Sequence, residues 1–175
     1  MVRYVGIDPS TKTGIVILDR NGERIDSMEI RSKELGAARM VDIIDQVIEQ
    51  LEFGDKVAIE GFSYGSTGRS VDLQYGIGWG IRTSLYKDNI DYIEVAPAAV
   101  KKFASGKGNT KKDELAVHIY KRWGFEDKSD NIRDAFLLAQ IARVAHLKDL
   151  PGIDLAAYQR DVLKAILEPP KAVAK

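Results

Sequence analysis

The sequence predicts an α/β fold, a mixed five-stranded sheet flanked by helices, and three observations carry that expectation. Two apolar runs, VRYVGID and GIVILDR, are followed by Asn21-Gly22 and ERIDSMEI, the pattern of three antiparallel strands with a hairpin turn. The period then changes: Leu35, Ala38, Val41, Ile44, Ile48 and Leu51 recur at steps of three and four, marking an amphipathic helix from Glu34 to Leu51 packed on that sheet. Beyond it, strand-like and helical segments alternate, as in folds whose sheet carries helices on its faces.

Taken in order, KVAIEGF is a short buried strand, residues 70–87 a helix and DYIEVA a strand, and helices follow at 111–123 and 133–147. Residues 100–112 read as a loop, 153–167 as a last amphipathic helix, and EPPKAVAK as a frayed tail. The pattern is βββ then αβαβαα. Residues 1–150 are expected to form one domain, with a helix in 151–168 packed on it and a flexible tail at 169–175. Gly76, Gly78 and Gly80 interrupt the helix at 70–87, each costing about 1 kcal/mol against Ala. Gly76 and Gly80 share a face, so something approaches closely there: a partner helix of a dimer, a DNA backbone, or a neighbouring helix of the same chain.

A chain of 175 residues with 45% hydrophobic content buries a core of its own and most simply forms one domain. No apolar run approaches the roughly 18 residues of a membrane span, and no apolar signal core precedes Asp8. Cytoplasm is the default expectation, with no membrane partner. The absence of cysteine excludes disulfides and Cys-ligated zinc or iron–sulfur sites. Basic and acidic residues balance at 26 each, so nucleic-acid binding requires positive charge gathered on one face.

Three acids stand where charge is costly. Asp8 ends the first strand after YVGI, Glu60 ends the fourth after VAI, and Asp134 lies in the first turn of a helix apolar on nearly every side, AFLLAQIARVA. Each has an ordinary alternative: a turn residue before Pro9, a partner for a surface Lys, an acid suited to a helix dipole, with Asp130 well placed as an N-cap. Together, three carboxylates following three buried segments cost several kcal/mol if unpaired, and a divalent cation relieves that cost. Carboxylate sets without His or Cys suit Mg²⁺ or Mn²⁺, completed by phosphate and water. Phosphoryl transfer is the chemistry implied, with two ions roughly 4 Å apart aligning water and leaving oxygen.

The segment VKKFASGKGNTKK, residues 100–112, holds five lysines (Lys101, Lys102, Lys107, Lys111 and Lys112) and no acid. It is a solvated surface loop or a cationic seat for a polyanion, with Gly106 and Gly108 admitting a phosphate close to the backbone. Between the acids lies GFSYGSTGRS, where Phe62 and Tyr64 either stack on bases or tuck into the core, and Arg69 adds a cation.

These segments resemble the RuvC-type Holliday junction resolvases of the RNase H-like superfamily, more narrowly their phage branch, from residue 3 to about 147. GIDPSTKTG is similar to the family's first strand with its metal-binding Asp, and IEGFSYG to its second acid followed by a junction-probing aromatic. IEVAPAAVKKFASGKGNTKKDEL resembles the segment carrying two basic residues eleven apart, here Lys101 and Lys112, and DNIRDAF the terminal acidic motif, whose last Asp is here Asp134. The family typically has Asp or His three residues earlier, where this chain has Asn131. Asp130 and Asn131 both fall on the face of Asp134, and Asp130 is the favoured fourth ligand, with Asn131 the alternative.

The resemblance implies a homodimer that binds four-way DNA junctions and makes paired nicks by Mg²⁺-dependent hydrolysis, with Mn²⁺ as a substitute and two ions per site. The products are 5′-phosphate and 3′-hydroxyl ends. Asp8 bridges both ions, Glu60 and Asp134 each hold one, and Lys101 and Lys112 offset charge near the scissile phosphate. Other readings are an RNase H-like nuclease acting on RNA or other branched DNA, a noncatalytic junction-binding module, and a sugar-kinase or actin-like ATPase, which normally needs a second such domain.

Overall fold

The computed structural model describes residues 1–63, 71–148 and 152–168. Its elements run β1 (Tyr4–Asp8), β2 (Thr13–Leu18), β3 (Arg24–Ile30), α1 (Gly36–Ile48), β4 (Lys56–Glu60), α2 (Val71–Lys87), β5 (Tyr92–Val95), α3 (Pro97–Ser105), α4 (Lys112–Trp123), α5 (Asp130–Leu147) and α6 (Ala157–Leu167). The five strands form one sheet in the order β3-β2-β1-β4-β5. β1–β2 and β2–β3 are antiparallel, whereas β1–β4 and β4–β5 are parallel, which requires the crossovers that α1 and α2 supply. The expected mixed sheet of a meander plus two further strands is the sheet observed.

β1 is central and buried throughout, so its period-two alternation divides the core in two. Val5 and Ile7, with Ile15, Ile17, Val57 and Ile59, face α1 and α2. Tyr4, with Val16, Leu18 and Ala58, faces α5. α5 lies so close to the sheet that a Cβ on Gly6 would come within 1.9 Å of the Ala135 carbonyl oxygen. A helix covered by sheet on one side and by α3, α4 and α6 on others is apolar nearly all round, as its sequence indicates. α6 buries Val162 and Leu163 in the same core.

Two expectations are corrected, and one open alternative is decided. The segment 100–112 is not one loop: α3 runs to Ser105, with Pro97 at its first turn, where a missing N–H costs nothing. Gly106, at φ +82°, ends α3 in the left-handed conformation, so its conformational freedom serves the helix terminus. On α1 the buried stripe is Met40, Ile43, Ile44, Val47 and Ile48. Leu35, which precedes the helix, and Val41 are 81% and 54% exposed. Finally, the close neighbour of Gly76 and Gly80 is α1 of the same chain: added Cβ atoms would meet Met40 Sδ at 2.5 Å and Ile44 Cδ1 at 2.1 Å.

Candidate active site

The alternation that buries Ile7 and Ile59 on one face turns Asp8 and Glu60 to the other, at adjacent C-terminal ends of two parallel strands. α5, which starts at Asp130 and not at 133, lays its first turn over the strand ends, and its second turn brings Asp134 to the same place. Asp8, Glu60 and Asp134 line an open cavity of about 250 Å³ with Ser10, Phe62, Gln74, Tyr75, Lys112 and Asn131.

The cavity is an electrostatically uncomfortable place for three acids. Asp8 is 8% exposed, and burial first, then the charges of Glu60 and Asp134, push its carboxyl well above the usual range. It shares a hydrogen bond with Glu60. Burial and then Asp134 raise Glu60 to about 7, against the pull of Asp8, Lys101 and Lys112. Asp134 is raised by burial and held back by Lys112, Lys101 and Arg133. The field of both lysines therefore reaches the acids, although the two come from different helices.

Among the described residues, no group of three His, Cys, Asp or Glu is arranged to hold a metal ion by itself. The acids instead share a cavity wall and one another's charge. Such a spread set fits Mg²⁺, which prefers hard oxygen donors, keeps several waters and takes only one or two carboxylates with substrate phosphate. Three mutually repelling carboxyls with no His or Cys among them suit that ion and disfavour zinc.

Asp130 and Asn131 take different surroundings. Asp130 accepts from Lys112 Nζ at 2.8 Å and pairs with Arg133. It does not cap α5; Ser129 does, accepting from the Ile132 N–H at 3.4 Å. Asn131 lines the cavity and donates from Nδ2 to Glu29 Oε2 at 3.1 Å. The Phe62 ring lies 5.2 Å from Tyr75, with which it lines the cavity, and 5.3 Å from Trp79, itself 59% exposed, so an aromatic cluster extends from the cavity to the surface. Lys101 and Lys102 are half-buried on α3, and Lys107, Lys111 and Lys112 are exposed on the turn into α4 and at its start. Tyr64 and Arg69 lie outside the described residues.

Two residues were not picked out by sequence reasoning. Arg82, 2% exposed, donates to Glu94 Oε2 (2.8 Å), the Gly78 carbonyl (2.9 Å) and the Glu60 carbonyl (2.8 Å). Its guanidinium also lies 4.3 Å from the Phe62 ring centre. Its signal is an arginine between Ile81 and Leu85 on the buried side of a helix. Glu29, held below the usual carboxylate range by hydrogen bonds from Ser129, Arg31 and Asn131 against the cost of burial, has no such signal, because an acid on an edge strand is ordinarily solvated.

This geometry can be set beside known proteins. Neither a family model nor a curated protein matches the chain. Among solved structures, one of Thermus thermophilus RuvC superposes with a TM-score of 0.68 at 19% identity, covering 84% of this chain and 96% of that one. The fold is RuvC-like, of the RNase H-like class. A second structure, T. thermophilus RuvC in complex with a Holliday junction substrate, matches with a TM-score of 0.63 at 23% identity, over 82% of this chain and 92% of that one. Among the described residues, no helix is long and apolar enough to cross a membrane.

Proposed function

We propose that this chain is a Mg²⁺-dependent endonuclease that resolves four-way DNA junctions, acting in the cytosol as a homodimer that makes paired, symmetric nicks. One observation carries the reading: Asp8, Glu60 and Asp134 converge from β1, β4 and α5 on one cavity, within the field of Lys101 and Lys112, on a RuvC-like fold. Asp8, Glu60 and Asp134 are the residues that would hold the cations, with Asp8 assigned to both and Glu60 and Asp134 to one each. When bound, the cations supply Lewis acidity to the scissile phosphate and the attacking water.

The chain's own residues do the rest. Lys112 lines the cavity and Lys101 adds its charge, so both offset the phosphate charge that grows in the transition state. Asp130 orients Lys112 through their ion pair. The Phe62, Tyr75 and Trp79 cluster offers ring faces to bases that a junction leaves accessible. Lys102, Lys107 and Lys111, with Tyr64 and Arg69, contact the flanking backbone or bases. Arg82 fixes the Glu60 carbonyl and the Phe62 ring together, so the metal ligand and the base contact move as one piece.

The test is cleavage of a synthetic four-way junction and of a linear duplex of the same sequence, in Mg²⁺, with product ends mapped. The junction should be cut far faster, leaving 5′-phosphates at symmetric positions. Equal rates on both substrates would sink the resolvase reading and leave a general nuclease. Asp8→Asn should lose cleavage and keep junction binding; an active variant would refute the ligand assignment.

A further inference from the structure

Asp8, Gly14 and Glu29 form a row across three strands: Asp8 is in register with Gly14, and Gly14 with Glu29. Paired residues project to the same face, so both acids point toward α5 with only a glycine between them. A Cβ on Gly14 would come within 2.2 Å of the Asn131 backbone carbonyl oxygen. The first turn of α5 therefore rests on that gap, with Asn131 between the two acids. Glu29 receives Asn131 Nδ2 at 3.1 Å, the Ser129 hydroxyl, and Arg31 Nε at 2.6 Å.

The polarity of this network decides which way Asn131 faces. A carboxylate only accepts hydrogen bonds, and an amide has one accepting end and one donating end. The NH₂ is thus committed to Glu29, and the carbonyl oxygen Oδ1 is the end left for the cavity that Asn131 shares with Asp8 and Asp134. Ser129 is held consistently: its single hydroxyl proton goes to Glu29 and a lone pair receives the Ile132 N–H.

We propose that Glu29 is a positioning residue that fixes Asn131 with its carbonyl oxygen toward the cavity, making Asn131 a neutral oxygen ligand for a divalent cation beside Asp8 and Asp134. The inference rests on the cavity being a divalent-cation site. Asp130 is the less suited neighbour, since Lys112 and Arg133 already engage its two oxygens. The arrangement supplies a fourth oxygen without adding a fourth negative charge to a cluster that already repels itself.

The experiment is Mn²⁺ binding to the full chain, followed by electron paramagnetic resonance and calorimetry, with circular dichroism to confirm folding. Asp8→Asn should abolish binding, which tests the cation site itself. Glu29→Ala frees the amide to rotate and should weaken Mn²⁺ binding by about tenfold, the lower end for losing a partner that orients a ligand. Asn131→Asp alone sets two carboxylates against each other, whereas Asn131→Asp with Glu29→Gln restores a donor–acceptor pair of reversed polarity. The double variant should therefore bind at least fivefold tighter than Asn131→Asp alone.

Unchanged binding in Glu29→Ala, or equal binding by the single and double Asn131 variants, overturns the positioning role while leaving the cation site standing. Failure of the natural chain to bind Mn²⁺, or binding retained in Asp8→Asn, overturns both. Should Glu29→Ala not fold, the comparison of Asn131→Asp with its double variant decides.

Discussion

Glu60→Gln should make the metal-free protein more stable, and the gain should depend on pH in the direction opposite to ordinary acid denaturation. Burial and the Asp134 charge lift Glu60 from 4.5 to about 7. At about 1.4 kcal/mol per pH unit, ionising Glu60 in the folded chain costs about 3 kcal/mol as an upper figure. The folded state holds this proton more tightly than the unfolded chain, so the associated stability is fully present below pH 4.5. It is lost as pH rises toward 7 and stays lost above it. Asp8 and Asp134, also raised, act with the same sign. Urea unfolding in EDTA at pH 5, 6, 7 and 8 should show the difference in stability between variant and natural chain growing across that range to between 1 and 3 kcal/mol, roughly. Saturating Mg²⁺ should then stabilise the natural chain and do little for the variant, because only the native carboxylate set gains from the cation. Parallel stability curves from pH 5 to 8, or a variant less stable at pH 8, would refute the electrostatic account of the cluster.

Other residues give independent tests. Arg82→Met leaves two backbone carbonyls without their charged donor and should cost about 2–4 kcal/mol in urea unfolding. Arg82→Lys should recover less than half of this, because a single ammonium cannot reproduce the three-way fork. Gly6→Ala drives a Cβ to within 1.9 Å of a backbone oxygen on α5 and should lose about 3 kcal/mol or fail to fold. Gly80→Ala, which meets only side-chain atoms of Ile44 and most closely its movable tip, should cost about 1 kcal/mol or less once helix propensity is counted. Lys101→Ala and Lys112→Ala should each reduce the slope of log affinity against log salt for junction binding, measured in EDTA, by about 1; unchanged slopes would remove those lysines from the DNA contact.

The legible parts of the molecule are those where a local pattern has one physical solution. The runs YVGI and VAI, each followed by an acid, mark buried strand ends, and the alternation of β1 then sends Asp8 to the face of α5. The apolarity of α5 on nearly every side announces a helix covered on several sides. The α3 helix was masked by its own lysines: charge in VKKFASGKGNTKK suggests solvation, while Pro97 and the alanines after it favour a helix start. Gly76 and Gly80 revealed a close approach but not its identity, since Met40 and Ile44 lie more than thirty residues away and propensity carries no tertiary address. Glu29 is the extreme case. Its meaning depends on α5 being laid over Gly14, a contact between segments about 100 residues apart.

Neutral composition is compatible with the proposed polyanion recognition because the charges differ in accessibility. Asp8 is buried, and Glu60 and Asp134 are partly so; each carboxyl is pushed toward its protonated form, which subtracts negative charge from the surface a phosphate meets. Lys107 and Lys111 are exposed on the turn into α4, and Lys112, paired with Asp130, lines the cavity, so their charge acts over about a Debye length. A count of 26 acids against 26 bases therefore does not describe the charge at the cavity, and any cation taken up by the acids makes that charge more positive. Raising pH without a cation should work the other way: as Glu60 ionises through about 7, junction binding in EDTA should weaken. Glu60→Gln should flatten that dependence. If affinity in EDTA is the same at pH 6 and 8 for the natural chain, the acids do not set the field that DNA meets, and the lysines alone must account for binding.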